Sequence, residues 1–234
     1  KRKMEIFGYR DPFGIKPLFY FVNDLFFSFS SEQSQLVDLK NRLNDELSIN
    51  KSSIYEYLMY GYVPNPATFY SQINSLPPGS KFNFKLHYNK LVIKKWFNFD
   101  LFLKNNNSQK ESSLKAFENN LKNNVALHLE SDVPIAIMLS GGIDSSLIAK
   151  YASEKTRNIK AFTLNVVNDP NKSELKYAEK ISKELNLELE TVDFDFKNSN
   201  ISQLIRNSLS LMDAPFANST NIFHNTQIKM LIQI

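Results

Sequence analysis

The 234-residue sequence contains no cysteine. Disulfides, thiolate metal sites and a thiol nucleophile contributed by this chain are thereby excluded. Long hydrophobic runs are also missing. The nearest approach, Leu18 to Phe29, is interrupted by Asn23 and Asp24 and falls short of the ~18 to 20 apolar residues that a bilayer crossing requires. A signal peptide is not expected, because the basic start KRKMEIFGYR leads into polar, turn-forming sequence rather than a sustained apolar core. Charge of one sign is never concentrated: 28 Lys and Arg stand against 24 Asp and Glu, with the lysines scattered among the acids. That scatter argues against nucleic acid as a partner. The three histidines, His87, His128 and His224, are too dispersed for a metal site or a catalytic triad. What remains is a soluble chain of ordinary composition, 42% hydrophobic and 22% charged, with the cytosol as its default compartment.

Two regimes of pattern follow one another. Residues 4 to 30 read as three short strands, MEIFGY, PLFYFV and LFFSFS, forming an antiparallel β edge. A helical period runs from Gln33 to Leu58 with a break around NRLNDELSIN, and Asn50 or Ser52 is placed to cap its second part. Pro64, Pro66, Pro77 and Pro78 exclude regular helix beyond it. Two aromatic-rich strands, KFNFKL and LVIKKWFNF, then flank a turn at His87 to Asn89. The polar stretch KNNNSQKESS suggests a linker over 105–113, dividing an N-terminal part, 1–104, from a C-terminal part, 114–234. After it, strands PIAIMLS, IKAFTLNVV and LELETVDFD alternate with helices SSLIAKYASEK, SELKYAEKISKELN and NISQLIRNSLSLMD, the second expected to be capped by Ser173. Such alternation predicts an α/β fold whose C-terminal half is a doubly wound parallel sheet, beside an antiparallel N-terminal part.

The stretch LSGGIDSSLIA, beginning at Leu139, sits where the first parallel strand turns into a helix. Ligands of such sheets bind there, beyond the carboxyl ends of the strands. Gly141 and Gly142 allow close backbone approach, so that several N–H groups can point at one anion. The helix starting near Asp144 to Ser146 adds its positive end, and the hydroxyls of Ser145 and Ser146 add donors. Phosphate is the implied guest. Asp144 would repel it unless Mg²⁺ lies between, so the aspartate reads as a metal partner. The alternative is a plain tight turn with Asp-Ser-Ser as its N-cap. The string is not a Walker A loop, because no lysine follows the glycines, and it is not G-x-G-x-x-G.

The whole string resembles the SGGxDSS pyrophosphate loop of the ATP-pyrophosphatase superfamily. The resemblance widens to the glutamine-dependent asparagine synthetase family and covers nearly the whole chain. RDPFGIKPLFY (Arg10 to Tyr20) looks like the end of that family's glutaminase domain, and SSEQSQLV like the segment after it. YLMYGYVPNPATFYSQINSLPPGS (Tyr57 to Ser80) is similar to the interdomain stretch. LESDVPIAIMLSGGIDSSLIA matches the start of the synthetase domain, and MDAPFANSTNIF (Met212 to Phe223) resembles an acidic loop of pattern D-E-P-F-A-D-S-S. The resemblance implies an adenine-nucleotide α-hydrolase-like fold and an Ntn-type glutaminase remnant. It also implies ATP-dependent adenylation of the aspartate β-carboxylate followed by attack of ammonia released from glutamine. The implied small-molecule partners are ATP, aspartate and that ammonia, with Mg²⁺ as the metal and a homodimer as the full-length form.

Carried over by position, Ser140, Gly141, Gly142, Asp144, Ser145 and Ser146 would hold the ATP phosphates, with Mg²⁺ at Asp144. Leu139 and Leu164, at the ends of the first two parallel strands, would flank the adenine, although each leucine taken alone reads as core. Asp213, Ser219 and Thr220 would belong to the amino-acid substrate loop. The departures are specific. Ala214 stands where the loop pattern has Glu and Asn218 where it has Asp, which puts aspartate as the acceptor in doubt and opens a β-lactam synthetase-like or sugar-modifying acceptor. The family's glutaminase nucleophile is an N-terminal cysteine, and a later S-G-x-G-x-D-E motif completes its ATP site; neither occurs here. The chain therefore reads as an internal fragment, inactive alone. A noncatalytic nucleotide-binding module is the remaining alternative.

Overall fold

The computed structural model describes residues 4–105, 114–156, 159–169, 173–195, 197, 199–210 and 212–214. They fall into two compact units, one drawn from Lys1–Ser108 and Leu209–Asn218, the other from Gln109–Ser208 and Ser219–Ile234. Among the described residues no helix is long and apolar enough to cross a membrane.

The first unit contains β1 (Glu5–Tyr9), β2 (Phe19–Val22), β3 (Phe27–Ser30), α1 (Gln33–Arg42), α2 (Lys51–Tyr60), β4 (Asn74–Ser75), β5 (Ser80–Lys85), β6 (Lys90–Lys95) and α3 (Phe99–Asn105). Asn50 caps α2 by accepting from the Ser53 amide. The three N-terminal strands form, but they do not share one edge. β1 joins β5 and β6 in one antiparallel sheet, while β2 lies between β3 and β4 in another. The reason is the loop after β1, which is tied down too tightly to act as a hairpin. Asp11 accepts from the amides of Phe13 (3.1 Å), Ile15 (3.0 Å) and Lys16 (3.0 Å), and the chain emerges as β2 in a different sheet. Leu76, Phe82 and Phe84 are buried against Ile6, Leu18, Tyr20, Phe27 and Leu91. The Phe27 ring stacks on Phe84, centroids 4.5 Å apart, and meets Phe82 edge-on at 5.1 Å, a geometry that aromatic quadrupoles favour.

The amide bonds hold the Asp11 carboxyl below its ordinary pKa, the Lys16 amide contributing most and Ile15 next. A carboxylate depressed in the folded state contributes stability that is present above its unfolded pKa and lost as pH falls through its folded one. Asp11→Asn should therefore lower stability at pH 7 and flatten the acid side of the stability curve. Urea unfolding at a series of pH values from 7 down to 3 checks this; curves for variant and parent that stay parallel throughout would remove Asp11 from the acid response.

The second unit contains α4 (Leu114–His128), β7 (Ala136–Met138), α5 (Ile143–Lys155), β8 (Lys160–Val166), α6 (Leu175–Leu185), β9 (Glu188–Phe194) and, as far as Ser208, α7 (Ile201–Ser210). The strands form a parallel sheet in the order β7-β8-β9, with helices between successive strands. This is the α/β pattern read from the sequence. β8 is central, and Ala161, Phe162 and Thr163 are buried in succession, as expected for a strand covered on both faces. Fully buried Ala149, Ala152, Ala161 and Ala178 let α5 and α6 approach the sheet closely. In α6 the apolar residues Ala178, Ile181 and Leu185 recur at helical spacing and pack into that core. The expected cap of α6 is displaced. Glu174 holds the N-cap position without a side-chain cap bond, and the Ser173 hydroxyl donates to Asn165 Oδ1 at 2.8 Å while accepting a long bond from the Leu175 amide. Asn165, near the end of β8, has competed for the serine.

Candidate nucleotide site

The turn from β7 into α5 is built by small residues for a steric reason. Gly141 has φ +74°, a left-handed backbone that residues with a Cβ adopt at a cost. A Cβ on Gly141 would lie 2.4 Å from Tyr177 Cβ, 2.6 Å from the Tyr177 carbonyl carbon and 2.8 Å from the Ala178 nitrogen. Two of those atoms are α6 backbone and cannot swing away. Gly142 differs: its φ is −70°, and an added Cβ would meet only Ser140 Oγ at 3.3 Å. Gly142 is exposed, and that hydroxyl is the one atom that would have to give way.

The hydroxyls organise the turn. Ser140 Oγ accepts from the Gly142 amide at 3.2 Å and lies 2.9 Å from Ser145 Oγ, which donates in turn to the Gly142 carbonyl at 3.2 Å. Gly142, rather than Asp144 to Ser146, is the N-cap of α5, and no side chain caps it. The first helical bond runs from the Ser146 amide to the Gly142 carbonyl at 3.0 Å. The amides of Ile143, Asp144 and Ser145 lie before that bond and have no intrahelical acceptor. Ser146 Oγ is buried with no hydrogen-bond partner among the described residues. Asp144 is exposed in the first turn, where a carboxylate is favoured by the helix dipole. Free amides, an orphaned hydroxyl and an exposed carboxylate around an exposed glycine make a competent cradle for an oxyanion accompanied by a cation.

The other sequence candidates lie as follows. Leu139 is 1% exposed, packs in the core of the second unit, and donates its amide to the Phe162 carbonyl at 2.7 Å, continuing the β7–β8 ladder. Leu164 is the fifth residue of β8, opposite Val192 and half-buried, not at the strand end. Asp213 belongs to the first unit, where the start of α1 takes both its carboxylate oxygens. Ser219 and Thr220 lie outside the described residues. Residues that the sequence did not single out also shape the turn. Tyr177 and Ala178 form the wall against Gly141. At the carboxyl ends of β8 and β9, Asn165 donates to Asp193 at 2.8 Å and Asn168 to Asp195 at 2.5 Å, fixing both strand exits. Among the described residues no three His, Cys, Asp or Glu converge on a metal-sized space.

The chain matches the asparagine synthase family over residues 116–231 and a glutamine amidotransferase domain over residues 1–97. Together these cover both units and include the cradle. Residues 116–231 belong to the asparagine synthase family. It is 32% identical over 160 residues to asparagine synthetase (glutamine-hydrolyzing) 1 of Bacillus subtilis, covering 68% of this chain and 24% of that protein. With asparagine synthetase (glutamine-hydrolyzing) 2 of the same organism it shares 26% identity over 236 residues, 95% of this chain and 31% of that protein. It thus spans about a quarter to a third of the asparagine synthetases it matches. Among solved structures, an NH3-dependent NAD synthetase from Campylobacter jejuni aligns with a TM-score of 0.33 at 19% identity, covering 50% of this chain and 49% of that one. For the asparagine synthase domain, the match puts Leu139 to Ser146 and Leu164 within the stretch shared with its family.

Proposed function

We propose that this chain supplies the ATP-binding part of an asparagine synthase-type ligase, in which a carboxylate is adenylated and then amidated by ammonia. The observation that carries the reading is the set of uncommitted α5 amides beside an exposed Gly142, with Ser146 Oγ buried and unpartnered. The amides of Ile143, Asp144 and Ser145 and the hydroxyls of Ser140, Ser145 and Ser146 would hold the phosphates. Binding there orients ATP, and amides fixed by the fold need no reorganisation as negative charge builds on the departing pyrophosphate. Mg²⁺, when bound, neutralises phosphate charge and improves the leaving group. It is commonly held by one or two carboxylates plus phosphate oxygens, and Asp144 would supply the carboxylate. Leu139 and Leu164 would border the adenine by backbone and apolar contacts, and Ser219 and Thr220 would belong to the acceptor loop. The chain contains no cysteine, so release of ammonia from the glutamine amide by a cysteine nucleophile would need a thiol that these residues do not supply. Ala214 and Asn218 favour a second reading in which the acceptor acid is not aspartate, because two carboxylates of the resembled loop are replaced.

Calorimetric titration of ATP tests the cradle and separates the two roles at its mouth. Asp144→Asn should weaken MgATP binding by about tenfold while leaving ATP binding in EDTA equal or tighter, because a carboxylate without a cation repels phosphate. Equal loss in both conditions would mean that Asp144 serves the fold and not the metal.

A further inference from the structure

Helix α6 starts without a cap of its own. Glu174, at the N-cap position, already has helical backbone angles, φ −87° and ψ −3°, and makes no side-chain cap bond. The start is held from the sheet instead. Asn165 stands opposite Asp193 in the β8–β9 register and donates from Nδ2 to Asp193 Oδ1 at 2.8 Å. Its Oδ1 accepts from the Ser173 hydroxyl at 2.8 Å, and Ser173 Oγ accepts from the amide of Leu175, the first residue of α6, at 3.4 Å. A carboxylate can only accept, so Asp193 fixes which end of the Asn165 amide turns toward the serine. Two residues beyond Leu175 the helix backbone abuts Gly141, so closely that a Cβ there would stand 2.6 Å from the Tyr177 carbonyl carbon and 2.8 Å from the Ala178 nitrogen. Interiors packed this tightly transmit a displacement rather than absorb it. An unbroken series of contacts thus runs from the end of β9, through Asn165 and Ser173, to the turn whose amides form the cradle.

We infer that Asn165 is a positioning residue for the nucleotide: with Asp193 and Ser173 it sets where α6 begins, and α6 in turn sets the backbone of Gly141 and the amides that follow it. The inference rests on the proposed function for what the cradle binds, and on the observed bonds for the link itself. Asn165 acts through α6 and Gly141, not by contact with the phosphates.

The link can be cut at either end and rebuilt. Asn165→Asp sets two carboxylates face to face, so repulsion turns the new side chain away and Ser173 loses its acceptor. Asp193→Asn alone keeps an acceptor for Asn165. Combining the two exchanges donor and acceptor across β8 and β9 and restores the pair. Ser173→Ala breaks the other end while leaving the Asn165–Asp193 bond in place. On the full chain with Mg²⁺, calorimetric titration of ATP should show affinity about fivefold weaker in Asn165→Asp and in Ser173→Ala, and within about twofold of the parent in Asp193→Asn and in the exchanged pair. The amides of Tyr177 and Ala178, both bonded to the Glu174 carbonyl, report the start of α6. Their hydrogen exchange should quicken about fivefold in the two weakened variants and return to the parent rate in the exchanged pair.

Faster exchange in Ser173→Ala with ATP affinity unchanged would mean that the start of α6 does not govern the cradle, and would overturn the inference. Weak ATP binding that persists in the exchanged pair would overturn it too, because Asn165 would then be needed for itself and not for its bond. Parent exchange rates at Tyr177 and Ala178 in both weakened variants would show that the observed bonds do not hold the helix start. A parent chain that binds no ATP would defeat the proposed function, while the exchange rates would still decide whether Asn165 holds α6.

Discussion

Gly141→Ala is expected to destabilise the second unit by about 2–5 kcal/mol, combining roughly 1–2 for a left-handed non-glycine backbone with about 1–3 for overpacking. The overpacking is severe because the new methyl group would stand 2.6 Å from the Tyr177 carbonyl carbon and 2.8 Å from the Ala178 nitrogen. Relief requires moving the start of α6, whose Ala178 is fully buried against the sheet. ATP binding should be lost together with thermal stability. Gly142→Ala gives the contrasting result. Its φ of −70° suits any residue, so the cost should be confined to about 1 kcal/mol for a poorer N-cap and a Cβ 3.3 Å from Ser140 Oγ, while ATP affinity falls through blocked approach of phosphate to the amides. Thermal unfolding and ATP titration on both variants distinguish the two effects. If Gly141→Ala melts with the parent, the steric account of this turn is wrong; if Gly142→Ala binds ATP unchanged, the phosphate does not lie over Gly142.

That adjacent glycines play different parts was not visible in the string SGGIDSS, although the strand-to-helix turn itself was. A local motif carries its own geometry: a strand, two glycines and a helix start within a few residues can place amides only at the strand's carboxyl end. Partners from elsewhere in the chain leave no such mark. Nothing near Gly141 announces Tyr177, and nothing near Asp213 announces the amides of Gln33 and Ser34, 180 and 179 residues distant. The strands were legible from alternating apolar and polar residues, but their pairing was not, because β1 takes its partner from β5 rather than from its sequence neighbour β2. Helix α4 went unread for a compositional reason. Leu121 and Val125 keep a helical spacing, but Asn119, Asn120, Asn123 and Asn124 lie among them, and asparagine favours turns over helix interiors.

Arg10 shows the same limit at the largest energetic scale. In the sequence it opens RDPFGIKPLFY as one charged residue beside another. In the structure it is 8% exposed and joins three separated segments, 14–16, 75–76 and, by a long Nη1 bond of 3.5 Å to its Oδ1, Asn65. Nε donates to the Lys16 carbonyl at 2.9 Å and Nη2 to the Gly14 carbonyl at 3.0 Å, closing the loop after β1. Nη1 donates to Ser75 Oγ at 3.0 Å and to the Leu76 carbonyl at 2.5 Å, tying that loop to β4 and the residue after it. Burial lowers the pKa of the guanidinium and neighbouring Asp11 raises it, but a group with so high an ordinary value stays charged at neutral pH. Arg10→Ala would strand three carbonyls and leave a cavity, at an expected cost of about 3–5 kcal/mol. Arg10→Lys is the sharper test. It keeps the charge, but a single ammonium cannot reach along the planar fork to three segments, so most of the loss should persist. Denaturant unfolding of both variants decides the matter. Recovery of stability in Arg10→Lys to within about 1 kcal/mol of the parent would mean that charge, and not the fork, holds the two sheets' connections in place.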